Sequence, residues 1–411
     1  MTFLRTTALA SAAIFAGSAA FAGCGLSGGN VNILGNDFAA IQSVVAGAAE
    51  CAGDGVTVES NLTTEHRDLQ VAALTANPAQ YTSAIVANSS IVPLINEDLI
   101  RPLDDLVAKH GQNLNPTQLI TVDGKVMAIA FMANAQHLYY RSDILEAAGI
   151  EPPTTYEEVI AAAQKLEADG VMQNPYAMNS QTGWNLGEEF VNMYLGHGGQ
   201  FFEPGTARPS INNETGVATL NTLKALADVS NPDFLTFDSN ATAALWESGS
   251  LALATMWGSR AAPILDDEGS TEEVTSTTVL AAAPTVAGGN TPASTLWWDG
   301  FTIAKNISDE DAEATFVALL NGMTEDRIAA NNDLAVWLAP GYTPGATAEG
   351  VFATATAGAR PYPMIPFMGL MHTALGNELS DFLQGNESAE QALADVEAAY
   401  TAAAREQGFL N

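Results

Sequence analysis

Three strand-length apolar runs alternate with two helical stretches between residues 31 and 86, and the connections are short. Val31–Leu34, Val56–Ser60 and Tyr81–Val86 read as strands. Phe38–Ala49 and Glu65–Thr75 carry helical spacing, and Asn77-Pro78 ends the second helix. Strand-helix-strand alternation with such connections commits the chain to an α/β fold. The sheet is then mainly parallel, with helices on both faces. In such sheets ligands gather beyond the carboxyl ends of the strands.

The stretch from Val122 to Leu166 is the next constraint. Asp123-Gly124 is a turn signal, Val126–Phe131 is a short apolar run, and His137–Tyr140 is a second. Pro152-Pro153 blocks continuation as helix. Thr155 with Glu158 forms a capping box for a helix reaching about Leu166. Further on, Asn240–Ser248 reads as a short helix and Leu251–Met256 as a buried strand. Trp257–Arg260 turns into another helix. Thr295–Ala304 reads as a strand, and Ser308 caps a helix from Asp309 to Met323. Phe367–Leu383 and Ser388–Glu406 form a helical tail.

The order of these pieces resembles the family 1 extracellular solute-binding proteins of ABC carbohydrate importers, the group that includes maltose-binding protein. Leu99–Asp105, with its Pro-Leu-Asp-Asp ending, is similar to one family segment. Trp246–Gly249 followed by Leu251–Trp257 is similar to a helix, strand and tryptophan loop, although Ser250 stands where a basic residue is usual. Asp299–Lys305 is similar to the return strand. The resemblance covers nearly all of the chain beyond its first residues. It implies two α/β lobes joined by hinge crossings, each lobe a mainly parallel sheet flanked by helices. Lobe 1 would hold 24–134 and 298–340, and lobe 2 would hold 135–297 and 341–411. The crossings would lie near Asn134–Gln136, Leu296–Gly300 and Ala339–Pro344.

Residues 1–22 read as a cleaved signal peptide. Arg5 precedes a small apolar run, and Ala20-Phe21-Ala22 is a peptidase pattern before Gly23. Phe21–Cys24 is similar to a lipobox but lacks the usual leading Leu. The two cysteines, Cys24 and Cys51, are expected to pair in an oxidising compartment, here the periplasm. A lipidated Cys24 with a free Cys51, or two free thiols, are the alternatives. Without Arg5 the chain has 13 basic and 47 acidic residues, a net charge of −34. Such a surface repels nucleic acid and anionic lipid. The length beyond the leader favours two domains over a single core.

A sugar asks for planar hydrogen-bonding groups and flat aromatic faces. Asn36 and Asp37 follow the first strand, as ligand contacts or as a helix cap. His66 follows the second strand, in the cleft or on a helix surface. Asn88 and Ser89 follow the third, as donors or as a polar turn. By resemblance, the loop 179–185 carries Gln181, Trp184 and Asn185 into the cleft. Trp257 and Arg260 form the next candidate, then Trp297, Trp298 and Asp299. Alternate strand residues share a face, so Trp297 goes with Asp299 and Trp298 points away. Asp299 matches a hydroxyl-reading carboxylate of glucose-binding relatives. Trp337, Met364, Met368 and His372 are lesser candidates, the apolar ones defaulting to core.

No catalytic or metal pattern stands out. Gly25–Gly29 matches G-x-S-x-G but precedes a strand instead of following one. The histidines at 66, 110, 137, 197 and 372 lack metal spacing. Asp238–Thr242 lacks the glycine of a calcium loop. The expectation is a monomeric periplasmic binding protein without metal or cofactor. It would deliver a neutral mono- or oligosaccharide to the permease subunits of an ABC importer. Three alternatives remain: an acidic solute held by Arg260, a quaternary ammonium compound in a tryptophan cage, and a secreted glycoside hydrolase.

Overall fold

The computed structural model describes residues 24–53, 55–266 and 268–411. The leader expected at residues 1–22 lies outside them. Strands β1 (Gly29–Gly35), β2 (Val56–Leu62) and β3 (Ser83–Ala87) alternate with helices α1 (Ala39–Ala49) and α2 (His66–Thr75). They pair in parallel in the order β2-β1-β3. Alternation sorts β3 cleanly: Ile85 enters one apolar cluster, while Ala84 and Val86 enter another on the opposite face. Three-layer packing follows, as the two-sided apolar strands require.

β4 (Leu119–Val122) turns into β5 (Lys125–Arg141), which is 17 residues long. The two apolar runs Val126–Phe131 and His137–Tyr140 are therefore halves of one strand. Its backbone stays paired throughout, so the intervening residues have no reason to leave the ladder. Ile129–Ala135 pair with β9 (Thr295–Phe301), and Gln136–Tyr140 pair with β7 (Leu253–Trp257). The partner changes between Ala135 and Gln136. β6 (Tyr176–Ala177) lies outside β7, and β8 (Thr278–Ala281) also pairs with β5. β10 (Val336–Trp337) and β11 (Arg360–Pro361) extend the sheet along β5 and β9. Among the described strands, parallel ladders are thus confined to β2-β1-β3, β6-β7 and the short β9-β11 pair. β9 runs against both β3 and β5, because a crossing strand must return through the junction.

Each lobe has its own interior. Val31, Ile33, Phe131, Phe301 and Phe316 fill the first lobe. Leu138, Phe190, Tyr194, Leu375 and Tyr400 fill the second. Helix α3 (Tyr156–Ala168) carries the capping box: Thr155 Oγ1 accepts from the Glu158 amide, and the Glu158 carboxylate accepts from the Thr155 amide. Three helices meet in the second lobe: α4 (Trp184–Gly196), α7 (Met368–Glu378) and α8 (Ala389–Glu406). α5 (Ser239–Glu247) and α6 (Asp309–Asn321) lie between α4 and α7 in the chain. Among the described residues no helix is long and apolar enough to cross a membrane.

Cys24 and Cys51 form a disulfide, with Cα atoms 5.0 Å apart and a sequence separation of 27. It ties the approach to β1 to the end of α1, at one end of the sheet. A Cys24 sulfur in this bridge is not available to a lipid. Closing a loop of this length stabilises by about 3.5 kcal/mol. The double replacement of Cys24 and Cys51 by serine is expected to lower Tm by several degrees in calorimetry, and reduction should do the same to the parent protein. An unchanged Tm would mean that the lobe does not depend on this staple.

Candidate inter-lobe binding site

Two spaces open between the lobes. The inner one is a small chamber of about 80 Å³, and the outer one is a cleft of about 600 Å³. Arg67 and Trp184 line both and stand between them. The chamber's walls come mainly from strand ends. Asn36 and Phe38 follow β1, and Ala87 ends β3. Trp257 ends β7, with Ser259 and Arg260 in the short turn after it. Trp297 and Asp299 lie side by side on one face of β9, and Asn134 lies on β5. This is the edge to which an α/β sheet directs its ligands.

Three tryptophans form the aromatic part. Trp184 lies at 6.2 Å from Trp257, tilted by 27°, and meets Trp297 edge-on at 5.4 Å. Trp257 and Trp297 are also edge-on, at 5.8 Å. Edge-to-face rings attract through their quadrupoles and hold one another in place. Trp184 is braced from behind. His372 stacks on it at 4.9 Å, and its Nε2 donates to the Trp184 carbonyl at 2.8 Å. That leaves Nδ1 as an acceptor for the Tyr362 hydroxyl at 2.9 Å. Burial holds His372 neutral, pushing its pKa down to about 4.

The polar groups are differently placed. Asn134 Nδ2 donates to Ser259 Oγ at 3.1 Å, and the Ser259 amide donates back to Asn134 Oδ1. The crossing strand is thereby fastened to the turn after β7. Asp299 accepts no hydrogen bond through its side chain among the described residues. Burial raises its pKa to about 7, against the pull of Arg67. Trp297 Nε1 donates at 3.0 Å to Glu188 beneath the floor, and Thr295 donates to the same carboxylate oxygen at 2.6 Å. Burial pushes both Glu188 and Glu189 up to about 8.

The buried acids and histidines make stability depend on pH. Glu188 and Glu189 keep protons in the folded protein that the unfolded chain has released above the ordinary carboxylate range. Their contribution is complete below about 4.5 and disappears as pH rises through about 8. His66, His137 and His372 work in the opposite sense. Their lowered folded values favour the folded state above 6.5, and that contribution is lost as pH falls towards 3 to 4. Between pH 6.5 and 8 only the carboxylates change with pH among these groups. Tm is therefore expected to fall by several degrees as pH rises across that window, which calorimetry at stepped pH would read. Glu188→Gln should flatten the decline, and an equal slope in that variant would contradict the assignment.

Asn36, Trp184, Asn185, Trp257, Arg260, Trp297 and Asp299 meet at the chamber. Ser89 lines the outer cleft, its hydroxyl buried without a partner. Other candidates lie elsewhere. Asp37 is exposed and accepts from Gln42, and neither it nor Asn36 caps α1, whose N-cap is Phe38 without a side-chain bond. His66 is 4% exposed and faces inward, because α2 buries positions 66, 70, 73 and 74. Asn88 is a strut: it accepts from the Trp298 amide and donates to the Leu296 carbonyl. Gln181 is exposed and accepts from Asn185. Trp298 packs among Val86, Leu94 and their neighbours in the first lobe. Of the lesser candidates, Trp337 and Met368 lie in core and Met364 packs beside it, while His372 reaches the outer cleft.

Arg67, Phe38, Asn134 and Ser259 are additions that sequence reasoning passed over. The spacing of His66, Gln70, Ala73 and Leu74 on α2 was the available signal for Arg67. It fixes the buried stripe and turns the neighbouring arginine outward to the cleft. Among the described residues no group of three or more His, Cys, Asp or Glu side chains is arranged to hold a metal.

Comparison with known proteins bears on this geometry. Residues 34–326 match the family described as bacterial extracellular solute-binding protein. A probable ABC transporter-binding protein of Deinococcus radiodurans is 26% identical over 274 residues, covering 61% of this chain and 63% of that protein. The chain thus spans less than two thirds of the length of the curated relatives it matches. In fold it is similar to an ABC transporter solute-binding protein of Agrobacterium radiobacter in complex with ribitol. That match has a TM-score of 0.79 at 21% identity over 92% of this chain and 99% of the other. It is also similar to the maltose-bound MalE3 of T. maritima, with a TM-score of 0.77 at 18% identity over 90% and 99% of the two chains.

Proposed function

The chain belongs to the bacterial extracellular solute-binding proteins, and we propose that it captures a sugar or polyol between its lobes by hinge closure. It then presents the ligand to the permease of an ABC importer. It acts outside the cytoplasm after removal of a leader at residues 1–22, binds without chemical turnover, and works as a monomer. The lobes hinge where β5 and β9 cross.

One observation carries this reading. Three mutually packed tryptophans and the unpartnered carboxylate of Asp299 face one chamber, to which both lobes contribute walls. Aromatic faces cover C–H surface, and a carboxylate accepts from hydroxyls. The ribitol and maltose complexes of similar folds support the same ligand class. Two contacts already join the lobes across the chamber. The Arg67 guanidinium lies 4.0 Å from the Trp184 ring, and that of Arg260 lies 5.6 Å from Phe38. Closure on a ligand has these contacts to build on.

The quaternary ammonium and hydrolase readings fare less well. Two guanidiniums beside the tryptophans repel a quaternary ammonium ion. Glycoside hydrolysis commonly uses two carboxylates across the scissile bond, and Asp299 is the one carboxylate among the chamber's described lining. A thermal-shift screen of mono-, di- and oligosaccharides and polyols tests the proposal. A true ligand raises Tm by mass action. Asp299→Ala and Trp257→Ala should remove that shift while the unliganded variants still fold. Variants that respond like the parent would contradict the site.

A further inference from the structure

The proposed chamber contains more positive charge than a neutral sugar needs, and the rest of the chain shows how unusual that is. Beyond the leader there are 13 basic residues among 47 acidic ones. Arg101, Arg141, Lys224 and Arg327 are drawn back from solvent, and each is paired with a carboxylate. Lys125, Arg208, Arg360 and Arg405 have no ion pair among the described residues, and all four are exposed. Arg67 and Arg260 alone are both withdrawn from solvent and without an ion pair among the described residues. They come from opposite lobes, and both line the chamber.

Their donors are idle as well. The Arg67 side chain makes no hydrogen bond among the described residues, and its Nε is buried without a partner. Arg260 makes one, from Nη2 to Ser239 Oγ at 2.9 Å, and its Nε is likewise buried and unpartnered. The carboxylates that face them are otherwise engaged or out of reach. Asp238 caps α5, Asp37 is exposed and bonded to Gln42, and Glu188 holds Thr295 and Trp297. Asp299 shares the chamber with Arg67 but lies beyond ion-pair distance. Two guanidiniums therefore face one carboxylate. The uncapped start of α1 begins one residue after Phe38 on the chamber wall, and a helix start also favours negative charge. Shutting two unpaired guanidiniums away from water is costly unless a counter-charge enters with them.

Resting on the solute-binding reading above, we propose that the natural ligand is an anionic polyol. Its carboxylate or phosphate is gripped by Arg67 from the first lobe and Arg260 from the second. Arginine suits this task because its planar fork matches both groups with paired donors. Asp299 and the tryptophans then read the hydroxylated body of the ligand. A chain with a net charge of −33 thus carries a local site of opposite sign, and closure of the lobes is tied to arrival of the anion.

Isothermal titration of the unaltered protein tests this with matched probes. D-Glucose and D-glucitol are the neutral arms, D-glucuronate and D-gluconate the carboxylate arms, and D-glucose 6-phosphate and glycerol 3-phosphate the phosphate arms. At least one acid is expected to bind ten times or more tighter than its neutral counterpart. The arm that wins tells carboxylate from phosphate. Arg260→Gln and Arg67→Gln should each cut that preference tenfold or more. Neutral sugars binding as well as the acids would overturn the inference and leave the sugar-binding proposal standing. Equal losses for acid and neutral ligands in both variants would also overturn it, since the arginines would then be reading hydroxyls. No binding in any arm, neutral or acidic, would overturn both.

Discussion

Replacing Trp184 by alanine is expected to weaken ligand binding by about 30-fold or more, the loss typical of an aromatic at the centre of a contact. Trp184 touches Trp257, Trp297 and His372, carries the Arg67 guanidinium on its face, and lines both inter-lobe spaces. Its removal takes away a ligand-covering surface and a seat for Arg67 together. The half-buried ring also packs against the second lobe's apolar cluster, so Tm should fall as well. Trp298→Ala supplies the contrast. That ring packs in the first lobe's apolar cluster and does not line the chamber. Its loss should lower Tm by several degrees and leave affinity nearly unchanged. Titration and calorimetry on the two variants separate the roles. Equal effects on binding would mean that the chamber is not where ligand sits.

Gly300→Val is expected to have the largest effect on the fold. Gly300 pairs with Ala130 where β9 crosses β5. A Cβ at this position would stand 2.6 Å from the Ile129 carbonyl oxygen and 2.8 Å from the Ala130 Cα. Both are backbone atoms of the neighbouring strand, so no side chain can swing aside. The ladder must part or the strand must shift, at a cost of about 3 kcal/mol or more. Gly369→Ala is the matching control. It lies in α7 with nothing within 4 Å of the new atom, and helix propensity makes it neutral or slightly stabilising. Urea unfolding distinguishes the two. A Gly300→Val protein as stable as its parent would refute the close crossing of β5 and β9.

The elements that were legible in the sequence are those fixed by local chemistry. The alternation of β1, α1 and β2, the box at Thr155 and Glu158, and the cap at Ser308 each rest on neighbouring residues. Tertiary relations were harder. β5 reads as two strands because Asn134 and Gln136 interrupt its apolar pattern, and both are polar for reasons outside the strand. Asn134 holds Ser259, and Gln136 donates to the buried Glu189. The sheet is less parallel than the sequence implies, since nothing within β9 announces that it returns between β3 and β5.

The candidate site divides in the same way. Strand alternation is enough to assign Trp297 and Asp299 to one face. Helix phase separates Arg67 from His66 once the stripe at 66, 70, 73 and 74 is followed. Asn88 cannot be recognised as a strut from its neighbours, because its partners at Leu296 and Trp298 are more than two hundred residues away. Asn36 and Asp37 have the chemistry of caps, yet the chain enters α1 one residue later, through Phe38.

The crystal structure of the complex with the tightest-binding compound of these screens tests the central claim most directly. The account predicts one ligand in the inner chamber, touching Arg67 and Asp299 from the first lobe and Trp184, Trp257 and Arg260 from the second at the same time. A ligand held by one lobe alone, or bound away from these tryptophans, would contradict it.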